Sequence, residues 1–145
     1  MNLKYLTFLL TLVFLASCTE DEELLNLDQY IVENNLEVQT TDSGLRYIID
    51  FPGNGEMPTI EDEVRVRYKG FTTDGEVFDH NLVDGVTSPL TNFIPGWIEG
   101  IQLFGKGGTG RLFIPSFLGY GSNPPEGIGI RSNADLIFEI ELVNF

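Results

Sequence analysis

The residues able to do chemistry are few, and most stand in the wrong company. The sequence holds one His, His80, and one Cys, Cys18. That rules out a His-rich or Cys-rich metal site and an internal disulfide. No Ser has the Gly-x-Ser-x-Gly setting of a hydrolase. Gly105-Lys106-Gly107-Gly108-Thr109-Gly110 is a literal G-x-G-x-x-G. A dinucleotide site needs that run after a strand and before a helix, and here the order is reversed. Gly100 to Lys106 opens like a P-loop, but Gly107 stands where Ser or Thr is required. Glu61-Asp62-Glu63 reads as a solvated turn. What remains is aromatic: one Trp, five Tyr and eleven Phe. Rings offer apolar surface, and tyrosine adds an orienting hydroxyl.

Rings matter only if the fold gathers them. The clearest positioning element is Ile94–Phe104, which holds the single tryptophan. Trp97, Ile101 and Phe104 fall at i, i+4 and i+7 and predict a shared helical face, extended by Ile94 and Ile98. Pro95 suits a first turn, where a missing N–H costs nothing. Gly105, Gly107 and Gly108 stop the helix. About two turns cannot stand alone, so the helix must cover a sheet, with Trp97 as the floor of a pocket.

The flanking segments supply that sheet. Leu45, Tyr47 and Ile49 alternate with Arg46, Ile48 and Asp50. Val64, Val66 and Tyr68 alternate with Arg65, Arg67 and Lys69, a half-buried strand. Pro52-Gly53-Asn54-Gly55 and Thr73-Asp74-Gly75 are turns. Glu76–Asp79, Arg111–Pro115 and Leu136–Phe145 read as further strands, residues 80 to 92 as irregular. His80 reads as an exposed loop residue. Phe117 to Asn133 is a long Gly/Pro loop, and loops of that length in compact domains are usually functional. The fold class is α+β: an antiparallel sheet of about five strands wrapped around one short helix.

With 145 residues, one domain plus appendages is expected. A formal charge of −14 argues against nucleic acid, whose phosphates need clustered Lys and Arg. Residues 1–17 read as a signal peptide: Lys4 leads the apolar run Leu6–Ala16, which covers about half a bilayer core at ~1.5 Å per residue. A short retained anchor is the alternative. Leu15-Ala16-Ser17-Cys18 resembles a bacterial lipobox, which implies lipidation of Cys18, cleavage before it and a mature charge of −15 once Lys4 is lost. Two or more acyl chains anchor stably where one is marginal. Residues 18–42 then form an acidic tether, Thr19–Glu23, and an N-terminal helix, Leu24–Leu36, ended by Asn34-Asn35. The acidic run resembles the export signal of bacterial surface lipoproteins. The implied location is the cell envelope, at the outer membrane or cell surface.

Five blocks resemble FKBP-type peptidyl-prolyl cis/trans isomerases: Val66–Gly70, Gly75–Asp79, Ile94–Gly100, Tyr120-Gly121 and Leu136–Leu142. Each is weak alone; their shared order and spacing carry the resemblance, which runs over residues 43–145. It implies a shallow aromatic pocket with Tyr68, Phe78, Asp79, Trp97, Tyr120 and Phe138 as its working residues. Phe93 and Ile94 would form a substrate-binding lip, joined by Ile128 and Ile130. The Ile94 N–H and the Tyr120 hydroxyl would each bind a substrate carbonyl. Taken singly, Trp97, Tyr68, Phe78 and Phe138 are ordinary inward-facing residues, and only their joint match argues for a pocket. The implied partners are proline-containing polypeptides, with no cofactor and no metal.

The chemistry of the residues agrees. Amide resonance opposes peptide rotation by ~18–20 kcal/mol, and X–Pro bonds turn over in tens to hundreds of seconds. A dry site that holds the amide twisted lowers that barrier without a nucleophile. The departures from the family are Arg131-Ser132 where a Pro-Pro step is common, the 80–85 segment without a basic residue, and no aromatic near Ser88. The alternative is a lipid-anchored, chaperone-like peptide-binding module with little turnover, or a structural lipoprotein without a pocket. Mass analysis of the native N-terminus is expected to find a di- or triacylated Cys18; an unmodified Cys18 refutes the anchor.

Overall fold

The structure, a computed structural model, describes residues 25–145. The signal peptide, Cys18, the acidic run and Leu24 lie outside the described residues. Helix α1 spans Leu27–Glu33, shorter than the Leu24–Leu36 expected. Its start is fixed by a reciprocal cap: Asn26 Oδ1 accepts the Gln29 N–H and Gln29 Oε1 accepts the Asn26 N–H, both at 2.9 Å. Asn34 caps its end, and Asn35 takes the left-handed conformation at φ +50° that Asn tolerates better than most residues.

Six strands, one more than about five, form one antiparallel sheet: β1 Gln39–Thr40, β2 Arg46–Phe51, β3 Glu63–Thr72, β4 Val77–Pro89, β5 Thr109–Ile114 and β6 Leu136–Asn144. Their spatial order is β1-β2-β5-β6-β3-β4. One face carries Val64 and Val66 of β3, Leu112 and Ile114 of β5, and Leu136, Phe138, Ile140 and Leu142 of β6. Helix α2, Pro95–Ile101, covers that face and completes the core with Trp97 and Ile101. The other face buries Phe71, Phe113 and Ile137 against Leu27 of α1. Burial of a side chain such as Leu27 stabilises by roughly 1.5–3 kcal/mol. Ile48 of β2 packs at the margin of that face, and beyond it the face carries ion pairs, with Arg111 3.7 Å from Asp50 and Arg67 3.2 Å from Glu141.

Helix α2 departs from the expected face in an informative way. It ends at Ile101, and Phe104 follows it, still fully buried. Ile98 is only half-buried, whereas Gly96 and Gly100 lie against the sheet. A Cβ on Gly96 would stand 2.6 Å from Ile114 Cγ2, and one on Gly100 would stand 2.6 Å from Leu112 Cδ1. The two glycines, one turn apart, let the helix backbone press onto alternate residues of β5.

Residues 80 to 92 are not irregular. They belong to β4 and to a 3₁₀ turn, Leu90–Asn92, and His80 pairs with Lys69 in the ladder. No alternation marks the segment because β4 is an edge strand with both faces largely exposed. Its register also slips: Val66 pairs Val86, but Tyr68 pairs Asn81. The surplus forms a bulge over Leu82–Gly85. Arg65 Nε donates to the Asp84 carbonyl at 2.7 Å, Arg67 Nε to the Val83 carbonyl at 3.0 Å, and the Gly85 N–H to Asn81 Oδ1 at 2.9 Å.

Gly100→Ala tests the close approach. Helix propensity alone would favour Ala by ~1 kcal/mol. Overpacking against buried Leu112 costs ~1–3 kcal/mol, so a net loss of stability in chemical denaturation is expected. An unchanged or raised midpoint would show that α2 has room to spare.

Candidate active site

A cavity of about 220 Å³ opens above the Trp97 indole. Each wall comes from a different element. Tyr68 rises from β3 and Phe138 from the adjacent β6, where Gly70 faces Phe138 across the ladder. Asp79 comes from β4, opposite Gly70. Phe93 and Ile94 link the 3₁₀ turn to α2, and Tyr120 follows the 3₁₀ turn Ser116–Leu118. Gly70 is required by this arrangement: a Cβ there would lie 2.7 Å from both the Phe138 and Phe78 rings.

The indole is 3% exposed and is ringed by aromatics. Tyr68 and Phe138 meet it edge-on, with centroids at 5.1 and 5.2 Å, and Phe93 lies tilted against it at 4.9 Å. Such pairs add about 0.5–1.5 kcal/mol each beyond burial. Its Nε1–H is buried without an acceptor among the described residues. A group left so costs ~1–3 kcal/mol.

The polar atoms are sparse and oriented. The Tyr68 hydroxyl donates to Asp79 Oδ2 at 2.7 Å. Burial, then that bond and the charge of Asp79, push the Tyr68 phenol well above its ordinary range. Burial and the Asp79 charge push Tyr120 up as well. Both phenols are therefore donors at neutral pH. Among the described residues, neither the Tyr120 hydroxyl nor the Ile94 N–H is tied to a protein acceptor. The site is thus an aromatic-floored cavity with two free donors at its rim, one carboxylate fixed by a tyrosine, and Asn92 on its wall. It suits a compact apolar ring flanked by carbonyls. Among the described residues, no group of three His, Cys, Asp or Glu could hold a metal ion.

The cavity gathers Tyr68, Asp79, Phe93, Ile94, Trp97, Tyr120 and Phe138. Phe78 stands one layer back, its ring edge-on to Phe138 at 5.5 Å, and steadies the wall instead of forming it. Ile130 is buried in the core and Ile128 is half-buried against it; neither lines the cavity. Both sit in the long Gly/Pro loop, where no periodicity indicates which side chains turn inward. Val86 and Asn92 complete the lining and were not anticipated. The signal that could have found Val86 is the strand character of β4, which its exposure hides, and Asn92 lies in the 3₁₀ turn that follows.

Residues 54–143 match the family described as FKBP-type peptidyl-prolyl cis-trans isomerase. A probable FKBP-type peptidyl-prolyl cis-trans isomerase FkpA of Neisseria meningitidis serogroup B is 46% identical over 108 residues, covering 73% of this chain and 39% of that protein. The crystal structure of FkpA from Escherichia coli superposes with a TM-score of 0.74 at 36% identity, covering 81% of this chain and 56% of that one. A peptidyl-prolyl cis-trans isomerase from Pseudomonas syringae pv. tomato gives 0.72 at 29% identity, covering 81% and 89%. The chain spans 39% to 44% of the length of the first three curated relatives it matches. Match, fold and cavity agree, and the chain belongs to the FKBP-type peptidyl-prolyl cis-trans isomerase family.

Proposed function

We propose that this chain accelerates cis/trans rotation of X–Pro bonds in folding polypeptides outside the cytoplasm, held at the cell envelope through lipidated Cys18. The observation that carries the reading is the aromatic cavity over Trp97, with the Ile94 N–H and the Tyr120 hydroxyl both free at its rim. The prolyl ring settles on the indole between Tyr68 and Phe138. The two donors take carbonyls on either side of the proline and hold the peptide in a turned path. Water is excluded, so the charge separation of the planar amide loses its hydration. The twisted amide has less of that separation and is favoured relative to the planar one. Asp79, held by Tyr68, supplies negative potential at the mouth. No covalent step is involved. The sequence signals at residues 1–23 support export and anchoring; among the described residues, no helix is long and apolar enough to cross a membrane.

A second reading is a peptide-binding module with little turnover. Val86 and Asn92 favour it, because they form a wall where the family resemblance implies an aromatic. A protease-coupled proline-peptide assay separates the two. Acceleration over buffer is expected; a folded chain with none leaves the binding module. Tyr120→Phe deletes one donor and is expected to lower kcat/KM by about tenfold at unchanged stability, the scale of one hydrogen bond to a bound substrate.

The raised Tyr68 phenol makes a pH prediction. A phenol held protonated by the fold contributes stability that is fully present below the unfolded value of about 10 and is lost as pH rises through the folded value. Urea denaturation at increasing pH is expected to show stability falling above about pH 10, and less steeply in Tyr68→Phe. An equal alkaline fall in both chains would mean that other groups govern it.

A further inference from the structure

The loop that carries Tyr120 has no anchor of its own. The 3₁₀ turn Ser116–Leu118 starts at Pro115, which offers no capping side chain. Its first N–H is instead taken by a carboxylate nineteen residues away: Ser116 N–H donates to Asp135 Oδ1 at 2.9 Å. The other oxygen of the same carboxylate, Oδ2, accepts the Leu27 N–H at 3.0 Å, at the start of α1. Asp135 is half-buried and directly precedes β6, three residues before Phe138. From Ser116 the hold passes on, since its carbonyl accepts the Gly119 and Gly121 N–H groups at 3.0 and 2.9 Å, on either side of Tyr120. The Gly121 carbonyl then accepts the Asn133 N–H at 2.8 Å, which returns the loop to the base of β6.

We infer that Asp135 is a positioning residue: one carboxylate, braced by α1 and rooted on β6, sets the height of the Tyr120 hydroxyl over the cavity. The inference rests on the reading of that cavity as the prolyl-peptide site. The geometry gives it content. Tyr120 has no hydrogen bond of its own to fix its hydroxyl, so the loop backbone must do so. Hydrogen bonds to a charged acceptor are stronger than neutral ones. With the N-terminal helix on the second oxygen, the carboxylate cannot rotate away from Ser116 without abandoning Leu27. Leu27, outside the span matched by the family, thereby acts on the site without lining it.

The test uses the full-length chain and two variants. Asp135→Asn keeps the shape but turns one acceptor into a donor facing an N–H. Ser116→Pro removes the donor and sets its ring Cδ where the N–H pointed, so the Asp135 carboxylate, 2.9 Å from that nitrogen, must also withdraw; Pro115, at φ −61° and ψ 149°, already has the backbone that a following proline demands. Both are expected to lower kcat/KM for a proline peptide by about tenfold, mainly in kcat. In a Tyr120→Phe background the same changes are expected to cost less than about twofold, because their target is gone. Amide exchange at Gly119 and Gly121 should rise in both variants. A folded Asp135→Asn chain with unchanged kcat/KM, or with the same loss whether or not the Tyr120 hydroxyl is present, overturns the assignment. If Asp135→Asn does not fold, Ser116→Pro decides by the same criteria. If the unaltered chain shows no turnover, the isomerase reading falls separately. Exchange at the two glycines then decides the mechanical claim: a rise supports it and no change overturns it.

Discussion

The distance between one short helix and one strand governs this molecule. Helix α2 is seven residues long and has no stability of its own. It exists because it lies on β5, and it lies there because Gly96 and Gly100 present backbone where other residues would present side chains. That contact fixes the depth of Trp97. A helix standing higher would draw the indole away from the Tyr68 and Phe138 edges that now meet it. Those two rings come from neighbouring strands, and their spacing is set by the ladder. The sheet therefore supplies fixed walls and the glycines supply a fixed floor.

The same logic explains why the site tolerates an unpaired indole N–H. A buried donor without a partner is a cost the fold must offset elsewhere. Here the offset comes from three aromatic neighbours packed against the same ring. Packing and polar satisfaction pull in different directions at this residue, and packing wins. Local rules of this kind fail most often where a structure does work rather than merely holding together.

Much of this was legible in the sequence, and the exceptions have physical causes. Strand β3 over Glu63–Val66 and strand β6 over Phe138–Leu142 announce themselves because one face is buried and the other wetter, which writes period two into the residues. The helix announces itself through Trp97, Ile101 and the flanking Pro95. The glycine half of its buried face is silent, since periodicity is read from large apolar residues and close approach demands the smallest. Strand β4 is silent too, because an edge strand with a bulge buries neither face consistently. That is why Val86 escaped notice while Asp79, a few residues before it, did not. Ile128 and Ile130 show the converse: apolar residues in a Gly/Pro loop carry no signal for direction. Asp135 could not have been singled out, because its two partners lie 108 and 19 residues away.

The bulge in β4 has one more effect. A thirteen-residue strand at the rim of a sheet is an open invitation to a neighbouring copy. Here the rim is broken halfway by a bulge that sets four residues against one, and two of its carbonyls are taken by Arg65 and Arg67. Pro89 closes its far end without an N–H to offer. A second chain sliding alongside would find a few bonds, then a step, then a few more out of phase. The opposite rim, β1, is only two residues long. Neither margin of the described sheet offers a long, unbroken template on which a second copy could add a strand.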